Sequence, residues 1–143
     1  MTINRPQQQV WHSLRYRDAP AAIDYLTSVL GFEVTVRYDN PDDPTIVEHA
    51  QLRWPEGDSG IMLGSHRETP NWPAATGHAA GYVSTNRLDQ IWQRARVADG
   101  FTVIDELHAD GYDSESTSRS FGVRDPEGNL WSFGEYAGEP WAD

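Results

Sequence analysis

Histidine is the residue type in this sequence best suited to hold a metal ion or to move a proton at neutral pH. The histidines are His12, His49, His66, His78 and His108. No two of them stand four residues apart, so no helix would present two imidazoles to one metal ion. We therefore expect ordinary hydrogen-bonded or surface histidines, with His78 as the exception worth testing.

Two residue types that carry much enzyme chemistry are absent. The chain of 143 residues has no cysteine, which excludes disulfides, thiolate zinc sites and cysteine nucleophiles. All 11 basic residues are arginine, which excludes a phosphate-loop lysine and Schiff-base catalysis. There is also no glycine-rich phosphate loop, no nucleophile elbow and no recognisable pair of carboxylates. The sequence therefore indicates no catalytic residue and no cofactor.

Acidic residues dominate the charge of the chain. Asp and Glu number 22 against 11 arginines, and the formal net charge is -11. Few positive charges are available to neutralise a run of phosphates, so we expect no nucleic-acid partner, and the same field repels an anionic membrane surface. It attracts cationic molecules instead. Since no apolar window approaches about 18 residues and no signal peptide is recognisable, we expect a cytoplasmic protein.

Aromatic side chains offer binding surfaces. We expect Trp11 to lie on the strand face away from the core, because Val10 and Leu14 occupy the opposite face. Tyr82 shares the strand parity of His78 and is expected to face the same cavity. Such rings attract aromatic or cationic guests by about 0.5 to 2 kcal/mol each. Trp72 is either a lid or a surface anchor, and Arg15 is either a carboxylate ligand or part of a surface salt bridge.

Hydrophobic periodicity predicts the elements that must position these side chains. The first half is predicted as a strand over 10–16, a helix between Asp18 and Gly31, and strands over 32–38, 46–54 and 60–65. Asp18 is a suitable N-cap and Gly31 a suitable stop. The second half is predicted as a strand over 79–84, a helix from Asn86 to Gly100, and strands over 102–109, 117–124 and 129–136. Each half therefore has the order βαβββ.

The two halves also align with each other. Gly31-Phe32-Glu33-Val34 falls on Gly100-Phe101-Thr102-Val103 at a spacing of 69 residues. An internal duplication explains this best. We predict a single domain over 1–143, with module one at about 9–66, a linker over 67–77, module two at about 78–136 and a tail over 137–143.

Two stretches resemble one known family. RDAPAAIDYLTSVLGF over 17–32 is similar to the first helix of the vicinal oxygen chelate superfamily, and VRDPEGNLWSFG over 123–134 resembles its closing hairpin. That superfamily includes glyoxalase I, extradiol dioxygenases and bleomycin-resistance proteins. The resemblance implies an α+β fold of tandem βαβββ modules. Each module would be a curled mixed sheet with one helix on its convex side and ligands on its concave side.

The resemblance also indicates where a metal ion would be held. Enzymes of the superfamily use His, Gln or Glu side chains from the first and last strand of each half. Three of those positions fall here on Trp11, Met62 and Ser132, which are unsuitable ligands for a hard or borderline cation. His12 is one residue out of register and is expected on the opposite face. The remaining position carries His78, and one histidine does not hold a catalytic metal.

The leading interpretation is metal-independent binding of a small molecule, as in the bleomycin-resistance branch, with an aromatic or cationic, antibiotic-like ligand. The residues predicted to contact it are Trp11, Ser13, Arg15, Met62, Trp72, His78, Tyr82 and Ser132. A homodimer is expected, because relatives commonly complete the cavity across a subunit interface.

Two other interpretations stay open from the sequence. A metal-dependent lyase, isomerase or dioxygenase of the same superfamily would need displaced ligands, drawn from His78, His49 and Glu135. A chain whose pocket has collapsed would serve association alone.

Overall fold

A computed structural model describes residues 8–68, 75–109 and 118–141. Trp72, the middle of the linker predicted over 67–77 and the first residue of the strand predicted over 117–124 lie outside the described residues. The chain forms two compact units, Met1–Ala79 and Ala80–Asp143. None of the described helices is both long and apolar enough to cross a membrane.

Both units contain the predicted βαβββ order. The first has β1 (His12–Tyr16), α1 (Ala19–Tyr25), a π-helical turn (Leu26–Leu30), β2 (Glu33–Asp39), β3 (Val47–Arg53) and β4 (Gly60–Ser65). The second has β5 (Ala80–Ser84), α2 (Leu88–Ala95), β6 (Thr102–Ala109), β7 (Arg119–Arg124) and β8 (Leu130–Gly134). The predicted α+β class with tandem modules is confirmed. The predicted boundaries of one domain over 1–143 stay a prediction.

Each unit is built on a four-stranded mixed sheet. The first sheet has the strand order β1-β4-β3-β2, with β1 parallel to β4 and the other neighbours antiparallel. The second sheet has the order β5-β8-β7-β6, with β5 parallel to β8. The same order and the same parallel pair in both units are what an internal duplication predicts.

One face of each sheet is covered by the helix of its own unit. In the first unit, alternate strand residues such as Leu14, Leu52 and Leu63 are buried, and α1 packs against β1 and β4. In the second unit, Phe121 and Phe133 stack with their ring centroids 5.4 Å apart, and α2 packs against β7. Because side chains alternate along a strand, the other half of each strand points to the opposite face.

The helix ends confirm one predicted cap and correct another. The Asp18 carboxylate accepts the backbone N–H of the residue three positions later at 3.1 Å, and Gly31 ends the helical segment with φ of 102°. Asn86 is not the N-cap of α2, which begins one residue later, after Arg87. The backbone N–H of Arg87 donates to the Thr85 hydroxyl at 2.9 Å, so the Thr85 side chain forms the turn that precedes α2.

Asp125 organises the closing hairpin from inside the second unit. Only 2% of its surface is exposed, and its Oδ1 accepts the backbone N–H groups of Glu127 and Asn129 at 3.0 and 3.1 Å. Its Oδ2 accepts Nε1–H of the buried Trp131 at 3.0 Å. The predicted turn over 125–128 is therefore also a polar anchor for a core tryptophan.

Replacing Asp125 by alanine should destabilise the second unit strongly. The change leaves the buried donors of Asn129 and Trp131 without this acceptor, so we expect a loss of about 3 kcal/mol in the free energy of unfolding. Urea denaturation measures it. Asp58→Ala, in an exposed turn of the first unit, is the matched control and should cost under about 0.5 kcal/mol. Equal losses in the two variants would contradict this role.

Arg119 links three parts of the second unit. Its guanidinium donates to both Asp89 carboxylate oxygens on α2, at 3.1 and 3.0 Å, and to Glu135 after β8, at 3.2 Å. Its backbone N–H also donates to Glu135 at 2.9 Å. These hydrogen bonds from Arg119 lower the pKa of Asp89 and that of Glu135 below their ordinary values.

The Arg119 cluster should make the second unit sensitive to acid. Two carboxyls with lowered pKa values stabilise the fold above their unfolded pKa values, and this contribution is lost as the pH falls through the folded ones. In Arg119→Gln, both pKa values should rise toward the ordinary range, as carboxyl NMR titration would show. Arg124→Gln, which removes an exposed arginine from the same strand, is the control. Unchanged carboxyl titrations in Arg119→Gln would contradict the assignment.

Candidate functional site

The face of the first sheet opposite α1 carries several residues singled out in the sequence. We call this surface the first open face and define it by Ser13 and Arg15 on β1, Met62 and Gly64 on β4, His49 and Gln51 on β3, and Tyr38 on β2. Ser13 pairs with Met62, and Met62 pairs with Gln51, so these three form one row across the sheet. Met62 and Gln51 are half-buried.

The Arg15 side chain lies over the backbone of Gly64 on this face. It pairs with Gly64 in the parallel ladder, and a methyl group on Gly64 would come within 2.8 Å of Arg15 Nη1. The guanidinium therefore occupies the space that any larger residue at position 64 would fill. Glycine inside a strand often marks such a close approach.

An aromatic pair lies on β2 and β3. Tyr38 pairs with His49 in the antiparallel ladder, and the two rings stack with centroids 6.2 Å apart and planes 22° apart. Tyr38 is 63% exposed, so one side of this stack is accessible. The first open face thus combines a guanidinium, a thioether and an exposed stack.

The corresponding surface of the second sheet is built around Tyr82. We call it the second open face and define it by Tyr82 on β5, Ser132 and Gly134 on β8, Gly122 on β7 and Asp105 on β6. These residues form a ladder from Tyr82 to Ser132, Gly122 and Asp105. The Asp105 carboxylate is within 2.7 Å of Nε2 of the exposed His108.

Tyr82 is held in place although it is half exposed. Its hydroxyl donates to the Tyr136 carbonyl, and its ring lies over Gly134, where a methyl group would come within 3.1 Å of Cε2 and 3.2 Å of Cζ. The ring is 50% exposed. A fixed, accessible ring is suited to stacking, because little of its freedom remains to be lost on binding.

The structure places the predicted contact residues in separate groups. Ser13, Arg15 and Met62 are neighbours on the first open face, and Tyr82 and Ser132 are neighbours on the second. Trp11 is half-buried immediately before β1, His78 is exposed two residues before β5, and Trp72 lies outside the described residues. Their part in a site stays a prediction.

Sequence reasoning missed the two strand glycines that seat the candidate side chains. Gly64 lies beneath Arg15 and Gly134 beneath Tyr82, and the two glycines stand 70 residues apart, close to the repeat spacing. An isolated glycine in a predicted strand, repeated in both halves, was the available signal. Arg67 and Glu48, which interact near Arg15, had no such signal, because their proximity depends on tertiary structure.

The side chains at the family's ligand positions do not fit a divalent metal ion. The thioether of Met62, the hydroxyl of Ser132 and the indole of Trp11 are poor donors for such an ion. Within residues 8–68, 75–109 and 118–141, no group of three or more His, Asp or Glu side chains converges. His12 lies on the same face of β1 as the buried Leu14, and burial lowers the pKa of His12.

Two of the alternative ligands already have other contacts. The Glu135 carboxylate accepts hydrogen bonds from Arg119, and His49 stacks on Tyr38. Using Glu135 as a metal ligand would require weakening its hydrogen bonds with Arg119.

Solved structures of similar fold were found for most of the chain. TioX from Micromonospora sp. ML1 is 28% identical, with a TM-score of 0.66, over 89% of this chain and 97% of that one. TnmS3, described as an antibiotic binding protein from Streptomyces sp. CB03234, is 19% identical, with a TM-score of 0.57, over 93% and 96%. An integron cassette protein from V. cholerae is 20% identical, with a TM-score of 0.62, over 94% and 100%.

No curated protein matches the sequence. A family model does match, and it spans residues 8–133, which include the first open face and all of the second except Gly134. With the tandem modules and the mixed sheets, this match shows that the chain belongs to the Glyoxalase/Bleomycin resistance protein/Dioxygenase superfamily.

Proposed function

We propose that this chain binds a small, partly aromatic molecule on the open faces of its sheets, without a metal ion and without transforming it. The observation that carries the proposal is the fixed, half-exposed ring of Tyr82 over Gly134. An aromatic guest stacked on that ring gains about 0.5 to 1.5 kcal/mol beyond the area it buries.

The first open face supports the same proposal with different chemistry. Met62 is half-buried between Ser13 and Gln51, so its sulfur lies in the middle of the sheet. A thioether adapts its shape to a guest and makes favourable contacts with aromatic rings. Serine and glutamine on either side offer hydrogen bonds that orient a polar substituent.

One solved relative supports binding as the activity. TnmS3 has the same fold and is described as an antibiotic binding protein. At 19% identity, this similarity supports a shared fold only. The proposed class of ligand therefore rests on the side chains of this chain. An antibiotic-like aromatic molecule, sequestered rather than modified, fits those side chains.

A cationic aromatic ligand is a second candidate, and the net charge favours it. The formal charge of -11 attracts cations over a distance, and the face of Tyr82 offers a cation–π contact of about 0.5 to 2 kcal/mol. The proposal keeps a homodimer as the assembly. A metal-dependent enzyme with displaced ligands is less well supported, because Glu135 is hydrogen-bonded to Arg119 and no three His, Asp or Glu side chains converge among the described residues.

Removing the Tyr82 ring should weaken the binding of aromatic probes. With neutral 2-naphthamide and cationic 2-naphthylmethylammonium, Tyr82→Ala should lower affinity about threefold to thirtyfold by calorimetry. Tyr82→Phe keeps the ring and should bind within about threefold of the wild type. Trp141→Ala removes a tail ring that is 97% exposed and should change nothing.

Salt separates the two ligand candidates in the same titrations. Binding of the ammonium probe should weaken as salt rises, while binding of the neutral amide stays nearly constant. If the wild-type protein binds no aromatic probe, or if Tyr82→Ala binds both of these probes as well as the wild type, the proposed function is wrong.

The purified protein should carry no stoichiometric divalent metal. The ligand positions hold Trp11, Met62 and Ser132, and these side chains offer no adequate donor set. Elemental analysis after purification without chelators measures the content directly. About one equivalent of zinc, iron, nickel or manganese per chain, lost in His78→Ala, would favour the metal-dependent enzyme instead.

A further inference from the structure

Arg15 forms no ion pair with any side chain in the part of the chain that the structure describes. Its guanidinium lies over Gly64 on the first open face, with Nη1 where a side chain at position 64 would begin. Among the described residues, no hydrogen bond or ion pair reaches this guanidinium. Arginine carries five N–H donors and stays charged, so a half-buried guanidinium with no acceptor is costly.

Of the described residues, one cation and one anion act on the charge of Arg15, so the cluster they form with it holds two positive charges and one negative charge. Partial burial is the main cause that lowers the pKa of Arg15, and the positive charge of the nearby Arg67 lowers it further. The negative charge of Glu48 opposes this shift. Glu48 is the acidic group in this cluster, and both of its carboxylate oxygens are engaged. Oε2 accepts from Arg67 at 3.1 Å, and Oε1 accepts from Asn40 Nδ2 at 2.8 Å. Two cations therefore share one carboxylate in a chain that is strongly acidic elsewhere.

We infer that Arg15, assisted by Arg67, is a subsite for a carboxylate on the ligand. A planar carboxylate matches the fork of donors on a guanidinium and supplies the missing counter-charge. This inference rests on the proposed function and applies to the first open face, whose ligand it narrows to an aromatic acid or a zwitterion with an aromatic group. The acid group is held at Arg15, and the ring lies on the same face.

The residues around Arg15 can accommodate the aromatic part. Met62 lies one strand away from β1 and pairs with Ser13, two residues before Arg15. The Tyr38–His49 stack lies on β3 and β2, beyond β4. Neighbouring strands are about 4.8 Å apart, so a ring attached directly to the carboxylate reaches Met62, and a longer one reaches the stack.

A structural role would require partners that Arg15 does not have within residues 8–68, 75–109 and 118–141. Arg37 shows the usual arrangement in the same unit, with Nε 2.9 Å from the Asp39 carboxylate. Arg67 shows it too, through Glu48. Both are ordinary surface ion pairs, whereas the Arg15 guanidinium lies over Gly64 on the first open face.

Three matched naphthalene probes test the subsite. They are 2-naphthoate, its neutral analogue 2-naphthamide, and 2-naphthylmethylammonium, titrated by calorimetry into the full chain at low and high salt. The wild type should bind the carboxylate about tenfold tighter than the amide, and salt should reduce that preference. Arg15→Gln should abolish the preference while leaving the affinity for the amide unchanged. Arg37→Gln, which removes the same charge from an ion-paired site, should leave the preference intact.

Glu48→Gln should strengthen the binding of the carboxylate probe, which is the opposite of the effect expected for Arg15→Gln. It removes the competing negative charge and keeps one acceptor oxygen, for either Arg67 or Asn40, so the affinity for naphthoate should rise about threefold. A misfolded variant would not bind more tightly, so this outcome separates the subsite from damage to the fold.

The outcomes also separate this inference from the proposed function. If the wild type binds the amide and the carboxylate equally, or if Arg15→Gln keeps the preference, the carboxylate subsite is wrong while aromatic binding stands. If none of the three probes binds, both are overturned.

Discussion

Each sheet is covered by a helix of its own unit on one face only, and the rest of the structure depends on this constraint. Side chains alternate along a strand, so every strand is divided into residues that pack against the helix and residues that do not. In β1, Leu14 and Tyr16 belong to the first set and Ser13 and Arg15 to the second. Packing fixes the register of the first set, and that register determines which side chains are available for function.

Much of the fold follows from local patterns in the sequence. The strands, the Asp18 cap and the Gly31 stop were predictable, because periodicity, capping and positive φ act within a few residues. The π-helical turn over Leu26–Leu30 was not. There the hydroxyls of Thr27 and Ser28 bond back to the Asp24 carbonyl, at 3.0 and 2.7 Å, and such bonds compete with the regular helical pattern.

The candidate site was predictable in its faces but not in its contacts. Strand parity placed Ser13, Arg15 and Met62 on one surface, since parity is a property of the local chain. The position of the Arg15 guanidinium over Gly64 depends on the pairing of β1 with β4, which are separated by α1 and two strands. The prediction of Asn86 as the N-cap of α2 was wrong. Instead, the Thr85 hydroxyl accepts the backbone N–H of Arg87, and α2 begins after Arg87.

Net charge and local charge act at different ranges in this protein. The charge of -11 sets the field outside the protein, which salt screens within about 8 to 10 Å. Beside Arg15, the charges of Arg67 and Glu48, which are paired at 3.1 Å, act at short range, where screening by mobile ions is weak. In the proposed site, the long-range field would select the molecules that approach, and the local cluster would select the group that is held. A zwitterionic aromatic molecule would satisfy both, because its cation responds to the field and its carboxylate to Arg15.

The two strand glycines show how a duplicated fold acquires different chemistry on equivalent surfaces. Gly64 and Gly134 occupy corresponding positions on β4 and β8, and each provides space for a side chain from the neighbouring parallel strand. In the first unit that side chain is a guanidinium, and in the second it is a phenol ring. A larger residue at either glycine would displace the group that lies over it. The same backbone feature therefore positions a charge in one module and an aromatic surface in the other.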